Sequence, residues 1–411
     1  MEQQQLIPHL FRTEYRKITA VLCRLFGIEH IEIAEDLASE TFLSALETWT
    51  YKGIPGNPTA WLYTVAKNKA SNYFHRHSTF TEHILSRLKY TSPATEEINI
   101  DLSDQNITES QLQMLFAICN PVISPSAQTA LALRILCGFG IDEIAAAFLT
   151  NKETINKRLQ RAKEKLRIEK VAIEFPGAHQ LVQRLEMVLT TLYLLFNEGY
   201  YSASKDAVIR DELCLEAMRL TLLLVENEST NLPAVNALYA LMCFQASRFE
   251  ARKSESGELI LYADQNETLW DYELISKGGY FLHRASTGND LSKYHIEASI
   301  AYWHTIKTDT EEKWEHILQL FNQLLQINYS PIAALNRTYA LSRARSKAEA
   351  IKEAEKLVLP GNHFYFVLLG ELYTGIDNAR AKANYEAALC LAKTQTDKKA
   401  IENKIEHLKG A

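Results

Sequence analysis

A chain of 411 residues is too long for one compact core, so two or three domains are expected. Its formal charge of −6 argues against a protein that coats nucleic acid indiscriminately. Only 15 glycines, few β-branched runs and an abundance of Ala, Leu, Glu and Lys predict an all-α fold.

The N-terminus, MEQQQLIPHLF, lacks the basic start and apolar core of a signal peptide. Residues 8–78 form a first helical block, interrupted at KGIPGNP (52–58). Within it, residues 31–49 make an amphipathic acidic helix. Ile33, Leu37, Phe42 and Leu46 are expected to point inward, and Glu32, Glu35, Asp36, Glu40 and Glu47 outward. Such a face suits a basic or polar partner helix, although any solvated helix carries similar charges. The next helix, 59–77, interleaves Trp61, Tyr63, Tyr73 and Phe74 with Lys67, Asn68, Lys69, Asn72, His75 and Arg76. Single-stranded bases need that mixture: flat surfaces for stacking, amides for base edges and cations for phosphates. Trp61 fits a core position, whereas Tyr63 and Tyr73 fit either role.

Residues 79–110 are polar, acidic and weakly periodic, which predicts a linker carrying Glu96, Glu97, Asp101, Asp104 and Glu109. Residues 111–170 form a second small block ending in a helix pair over 141–167. Asn151 and Thr154 favour the start of the second helix, and Ile155, Leu159, Ala162 and Leu166 give it one buried stripe. Residues 151–170 hold eight cations against three anions. A helix of this kind lies well in a major groove, with Lys152, Glu153, Thr154, Asn156, Lys157, Arg158 and Arg161 near bases and phosphates. A basic solvated face on an ordinary helix hairpin accounts for the same pattern. The turn, Phe148–Leu149–Thr150, lacks the glycine common in helix-turn-helix units.

From 175 to 411 the chain reads as long helices with short turns. Leu335 and Leu369, Tyr339 and Tyr373, Ala354 and Ala388, and Leu357 and Leu391 each recur at the 34-residue period of a tetratricopeptide hairpin. Gly370, Ala381 and Tyr385 also fit that motif, which predicts a TPR-like domain with a surface for a regulatory partner. Apolar runs such as 187–196 reach only about half the length of a membrane span. The six cysteines form no Cys-x-x-Cys pair and are expected to be reduced core residues of a cytoplasmic protein.

AEDLASETFLSALETW (34–49), the Gly/Pro loop and PTAWLYTVAKNKASNYFHRH (58–77) resemble region 2 of bacterial sigma factors. Residues 111–168 resemble region 4, so 8–78 and 111–170 match in order and spacing the small extracytoplasmic-function class of the sigma-70 family. LFNEGYYSAS (195–204), RDELCLEAMRL (210–220) and the hairpins beyond look like the subgroup with a long C-terminal extension. The resemblance implies partners: the β and β′ subunits of core RNA polymerase, and promoter DNA both double-stranded and locally melted. It implies that Asp36, Glu40 and Phe42 contact polymerase. It implies further that Tyr63, Lys67, Asn68, Asn72, His75 and Arg76 engage the −10 element, and the 152–161 set the −35 element. No cofactor, metal or catalytic residue is implied.

The alternative is a helix-turn-helix regulator that binds a partner through its repeats without docking on polymerase. The polar, aromatic 58–77 helix argues against it, because such a regulator has no use for a strand-opening surface. An enzyme in the C-terminal half is a third reading, around Asn197, Glu198, Tyr200, Tyr201, Arg210, Asp211 and Glu212. No metal-spaced His/Cys set, phosphate loop or nucleophile elbow accompanies that cluster, so no enzymatic activity is expected.

Overall fold

The computed structural model describes residues 3–76, 100–200, 207–252, 260, 265–288, 290–392 and 395–409. Among them every regular element is helical, as the composition predicts. The chain divides into two compact units, Met1–Leu224 and Val225–Ala411. No described helix is long and apolar enough to cross a membrane.

The first unit opens with α1 (Gln3–Phe26), α2 (Ile31–Lys52) and α3 (Pro58–Arg76), with α1 packed against both others. Aromatic rings knit this bundle: Phe42 meets Phe11 edge-on at 5.0 Å, and Phe26 stacks on Phe74 at 5.0 Å. Gly53 ends α2 at φ 78°, a conformation L side chains disfavour, and its N–H caps the Trp49 carbonyl. Asn57 starts α3 by accepting the Ala60 N–H.

Next come α4 (Asp104–Ile118), α5 (Pro125–Leu131) running into a π turn (Ala132–Leu136), α6 (Ile141–Ala147) and α7 (Lys152–Ile168). Much of the expected linker, including Glu96 and Glu97, lies outside the described residues. Its last part does not behave as a linker, since Asp104 and Glu109 belong to α4. Ser103 caps that helix, and Ile107, Leu112 and Leu115 bury its apolar face.

The helices α8 (Ala178–Tyr200) and α9 (Ala207–Glu226) lie within the stretch expected to form a separate extension from residue 175. They fold instead with the first unit. Leu185, Val188, Leu189 and Leu192 are buried, and α8 contacts α4 and α5. Thr191 donates to Gln128 Oε1 at 2.7 Å, and the Arg184 guanidinium donates to the Phe116 carbonyl. An apolar stripe in a sequence reveals that a helix is buried, not which neighbour buries it.

The second unit contains α10 (Pro233–Ala246), α11 (Tyr272–Ala285), α12 (Lys293–Trp303), α13 (Glu311–Ile327), α14 (Pro331–Ala344), α15 (Lys347–Leu357), α16 (His363–Tyr373), α17 (Asn378–Leu391) and α18 (Gln395–Lys409). The 34-residue repeat falls on the hairpins α14–α15 and α16–α17. Leu335, Leu369, Ala354 and Ala388 share one core, but Tyr339 is 38% exposed where its counterpart Tyr373 is 6% exposed. Gly370 allows α16 to approach α17 closely, since a Cβ there would stand 2.5 Å from the Tyr385 ring. Five cysteines are buried as expected, whereas Cys390 is exposed.

Candidate nucleic-acid interface

The basic helix pair forms as the pattern requires. The Asn151 side chain accepts the Thr154 N–H at 2.8 Å, which caps α7. Ile155, Leu159, Ala162 and Leu166 are its buried stripe. In place of glycine, the turn puts Leu149 at φ 48°, and the Thr150 N–H closes it on the Ala145 carbonyl at 2.9 Å. Lys152, Glu153, Thr154, Asn156, Lys157 and Arg161 are exposed along the free edge. Lys152 pairs with Asp142 and Lys157 with Glu153, each at 2.6 Å. Exposed pairs of this kind contribute little, so a phosphate can displace the carboxylate.

Arg158 behaves differently. Half-buried, it lies over the Phe148 ring at 5.1 Å and steadies the turn. Burial raises the pKa of Glu198 at the end of α8, and nearby Arg158 partly offsets that shift. Beside this edge runs a groove of about 410 Å³, lined by Ser124, Ser126, Thr154, Lys157, Arg161 and Lys165. Hydroxyls facing cations are what a phosphate backbone needs. The serines and Lys165 were missing from the sequence-based set. Ser-Pro-Ser ahead of a helix was a readable start signal, but nothing local brings it opposite α7.

On α3, Asn68, Asn72, His75 and Arg76 are exposed along one side, and Lys67 is half-buried. Tyr63 is held away from solvent, with its hydroxyl donating to Glu14 Oε2 at 2.7 Å. Burial, then the Glu14 hydrogen bond, raise its pKa strongly. Tyr73 meets Phe26 edge-on at 5.8 Å, and Trp61 meets Trp49 at 5.3 Å. Both are framework contacts. In the last turn of α2, just before the loop, Tyr51 is 89% exposed and offers the free aromatic surface that Tyr63 and Tyr73 do not.

The expected polymerase-facing residues of α2 separate in the same way. Asp36 and Glu40 are exposed, and Glu40 pairs with Lys69 of α3 at 3.2 Å. Burial, then Glu35 and Glu40, raise the Asp36 pKa. Phe42 is only 3% exposed and packs on Phe11. It braces the helix and presents no surface. Leu46, expected inside, is 47% exposed beside Leu43 at 54%, so the outward face is apolar as well as acidic. Glu35, expected outside, is buried. Glu35 is buried by its pairing with Arg134 and Lys163, whereas the outward face of α2 at Leu46 is left uncovered.

A three-helix bundle followed by a helix-turn-helix, each with a polar DNA-suited edge, defines a DNA-binding transcription protein. Residues 10–79 match Sigma-70 region 2, residues 123–166 match Sigma-70, region 4, and residues 184–286 match a family of unknown function (DUF6596). The chain is 31% identical over 387 residues to an uncharacterized protein, R00370, of Rhizobium meliloti (strain 1021), covering 92% of this chain and 90% of that one. It is 29% identical over 170 residues to the RNA polymerase sigma factor YlaC of Bacillus subtilis (strain 168), covering 41% of this chain and 93% of that factor. No solved structure matches. The chain belongs to the sigma-70 family, as an extracytoplasmic-function-like factor with a long C-terminal extension.

Proposed function

We propose that this sigma factor docks on the β and β′ subunits of core RNA polymerase through the outward face of α2, with Asp36, Glu40, Leu43 and Leu46 as contacts. Lys152, Glu153, Thr154, Asn156, Lys157 and Arg161 read the −35 element, with Asn156 suited to adenine and the cations to guanine or phosphate. The α3 edge, Lys67, Asn68, Asn72, His75 and Arg76, engages the −10 element, and Tyr51 supplies a stacking face for an unpaired base. Opening the duplex needs no covalent chemistry, only binding that favours unpaired over paired bases. The observation that carries this reading is the exposed, cation-rich edge of α7 beside a hydroxyl-lined groove.

The test is transcription in vitro with purified core polymerase on a randomised promoter library. Promoter-dependent transcripts should appear only when the protein is added. Their absence, with the protein shown to be folded, overturns the reading.

A further inference from the structure

Another cavity of the first unit, about 290 Å³, lies where the chain leaves α7 and enters α8. Its walls come from the turn between α4 and α5, the 169–177 connector and the first two turns of α8. The connector is built into the unit. The Val171 N–H bonds to the Leu166 carbonyl at 3.1 Å, and Phe175 meets Phe116 of α4 edge-on at 5.0 Å. Gly177 accepts the Gln180 N–H at 2.9 Å and so opens α8.

Polar groups are unevenly placed in this cavity. Asn120, only 8% exposed, lines it with a side chain whose Oδ1 accepts the Val122 N–H at 3.1 Å. Its amide nitrogen has no partner among the described residues. Arg184 is half-buried. One terminal nitrogen donates to the Phe116 carbonyl, but the buried Nε has no hydrogen-bond partner, and no described carboxylate pairs with the guanidinium. Burial lowers the Arg184 pKa, with only Cys119 opposing the shift. Glu169 and Glu174, in contrast, are exposed, and neither forms an ion pair among the described residues. Donors therefore line the inside and carboxylates the mouth. A guanidinium buried without an anion costs free energy that a bound carboxylate would recover.

We propose that this cavity binds a small zwitterion of the amino-acid class, its carboxylate inward on Arg184 and Asn120 and its ammonium outward between Glu169 and Glu174. A plain anion would meet two glutamates at the entrance, and a plain cation would leave Arg184 unmatched. A molecule carrying both charges suits both ends. Ligand sites begin near about 300 Å³, so this volume points to a single amino acid or a close analogue. Occupancy ties the α4–α5 turn, the connector and α8 together through one molecule. None of the residues proposed to meet DNA or polymerase lines the cavity, so the inference goes beyond the sigma reading and is tested without transcription.

The test is isothermal titration calorimetry of the full chain against each common L-amino acid and γ-aminobutyrate, taken singly. Butyrate and butylamine serve as the two half-molecules. At least one zwitterion should bind with a Kd of about a millimolar or tighter, and both halves about tenfold more weakly or worse. Arg184→Gln should weaken the zwitterion about tenfold, the loss of one charge-assisted partner. Because Arg184 also holds the Phe116 carbonyl, a second variant uses only the exposed carboxylates, Glu169→Gln with Glu174→Gln. It should weaken the zwitterion about tenfold, while butyrate binds no worse than before. Absence of binding by every zwitterion tested overturns the proposal. So does a zwitterion that binds the double glutamine variant as tightly as the wild type, or butyrate binding as tightly as the best zwitterion.

Discussion

Lys157 and Arg158 are neighbours of the same charge, yet the fold gives them different tasks. Lys157 and Arg161 are exposed at the groove, while Arg158, also in its lining, is half-buried across Phe148. Lys157→Ala and Arg161→Ala should each lower the salt dependence of duplex binding by about one unit of log–log slope, one phosphate contact apiece. Arg158→Ala should change the slope less and reduce stability instead, through lost packing. Fluorescence anisotropy against salt measures this, and unchanged slopes for Lys157→Ala and Arg161→Ala would remove the groove from the interface. On α3, Asn68→Ala should impair opening while sparing core binding, because Asn68 is exposed on the edge proposed to engage the −10 element. Permanganate reactivity of promoter thymines reports opening, and wild-type reactivity in that variant contradicts the assignment.

Among the helices, the α16–α17 hairpin depends on one missing side chain. Gly370→Ala drives a Cβ into the Tyr385 ring, itself only 3% exposed. The expected cost is about 1–3 kcal/mol, as for other overpacked cores. Thermal unfolding checks it, and an unshifted midpoint would mean that the hairpin relaxes freely. The helices themselves were largely legible. The α7 stripe, Ile155, Leu159, Ala162 and Leu166, was named correctly because a helix with one covered face has a period that spacing alone exposes. The same reasoning failed for α2. Spacing does not show that Arg134 and Lys163, distant in the chain, cover Glu35 while Leu46 stays at the surface.

Across the molecule, each unit carries its own test. In the second unit, burial lowers the His304 pKa from 6.5 to about 3, with Arg248 and Lys313 adding to the effect. Burial lowers His295 as well. A histidine with a depressed folded pKa leaves the unfolded chain to take up the proton first. Its contribution is therefore intact above pH 6.5 and is lost as pH falls toward 3. Stability of that unit should drop by about 2 kcal/mol between pH 7 and pH 5 from His304 alone. Urea unfolding at the two pH values measures the drop, and a His304→Gln variant with the same drop would assign it elsewhere. In the first unit, a fragment ending at residue 226 should unfold cooperatively. One ending at residue 172 strips α8 from α4 and α5 and should aggregate or melt well below it. Equal stability of the two fragments, by scanning calorimetry, would mean that α8 and α9 are not part of the unit.

The order of the regions, the helical class, the capped basic helix and the 34-residue hairpins are all written in local spacing, because caps and helical periods act over a few residues. Which helices meet is not local. The reach of the first unit to Leu224, the junction at Glu35 and the serines facing Lys157 and Arg161 bring together residues far apart in the chain. An amphipathic pattern states how much surface a helix must hide, and only three-dimensional packing chooses the partner that hides it.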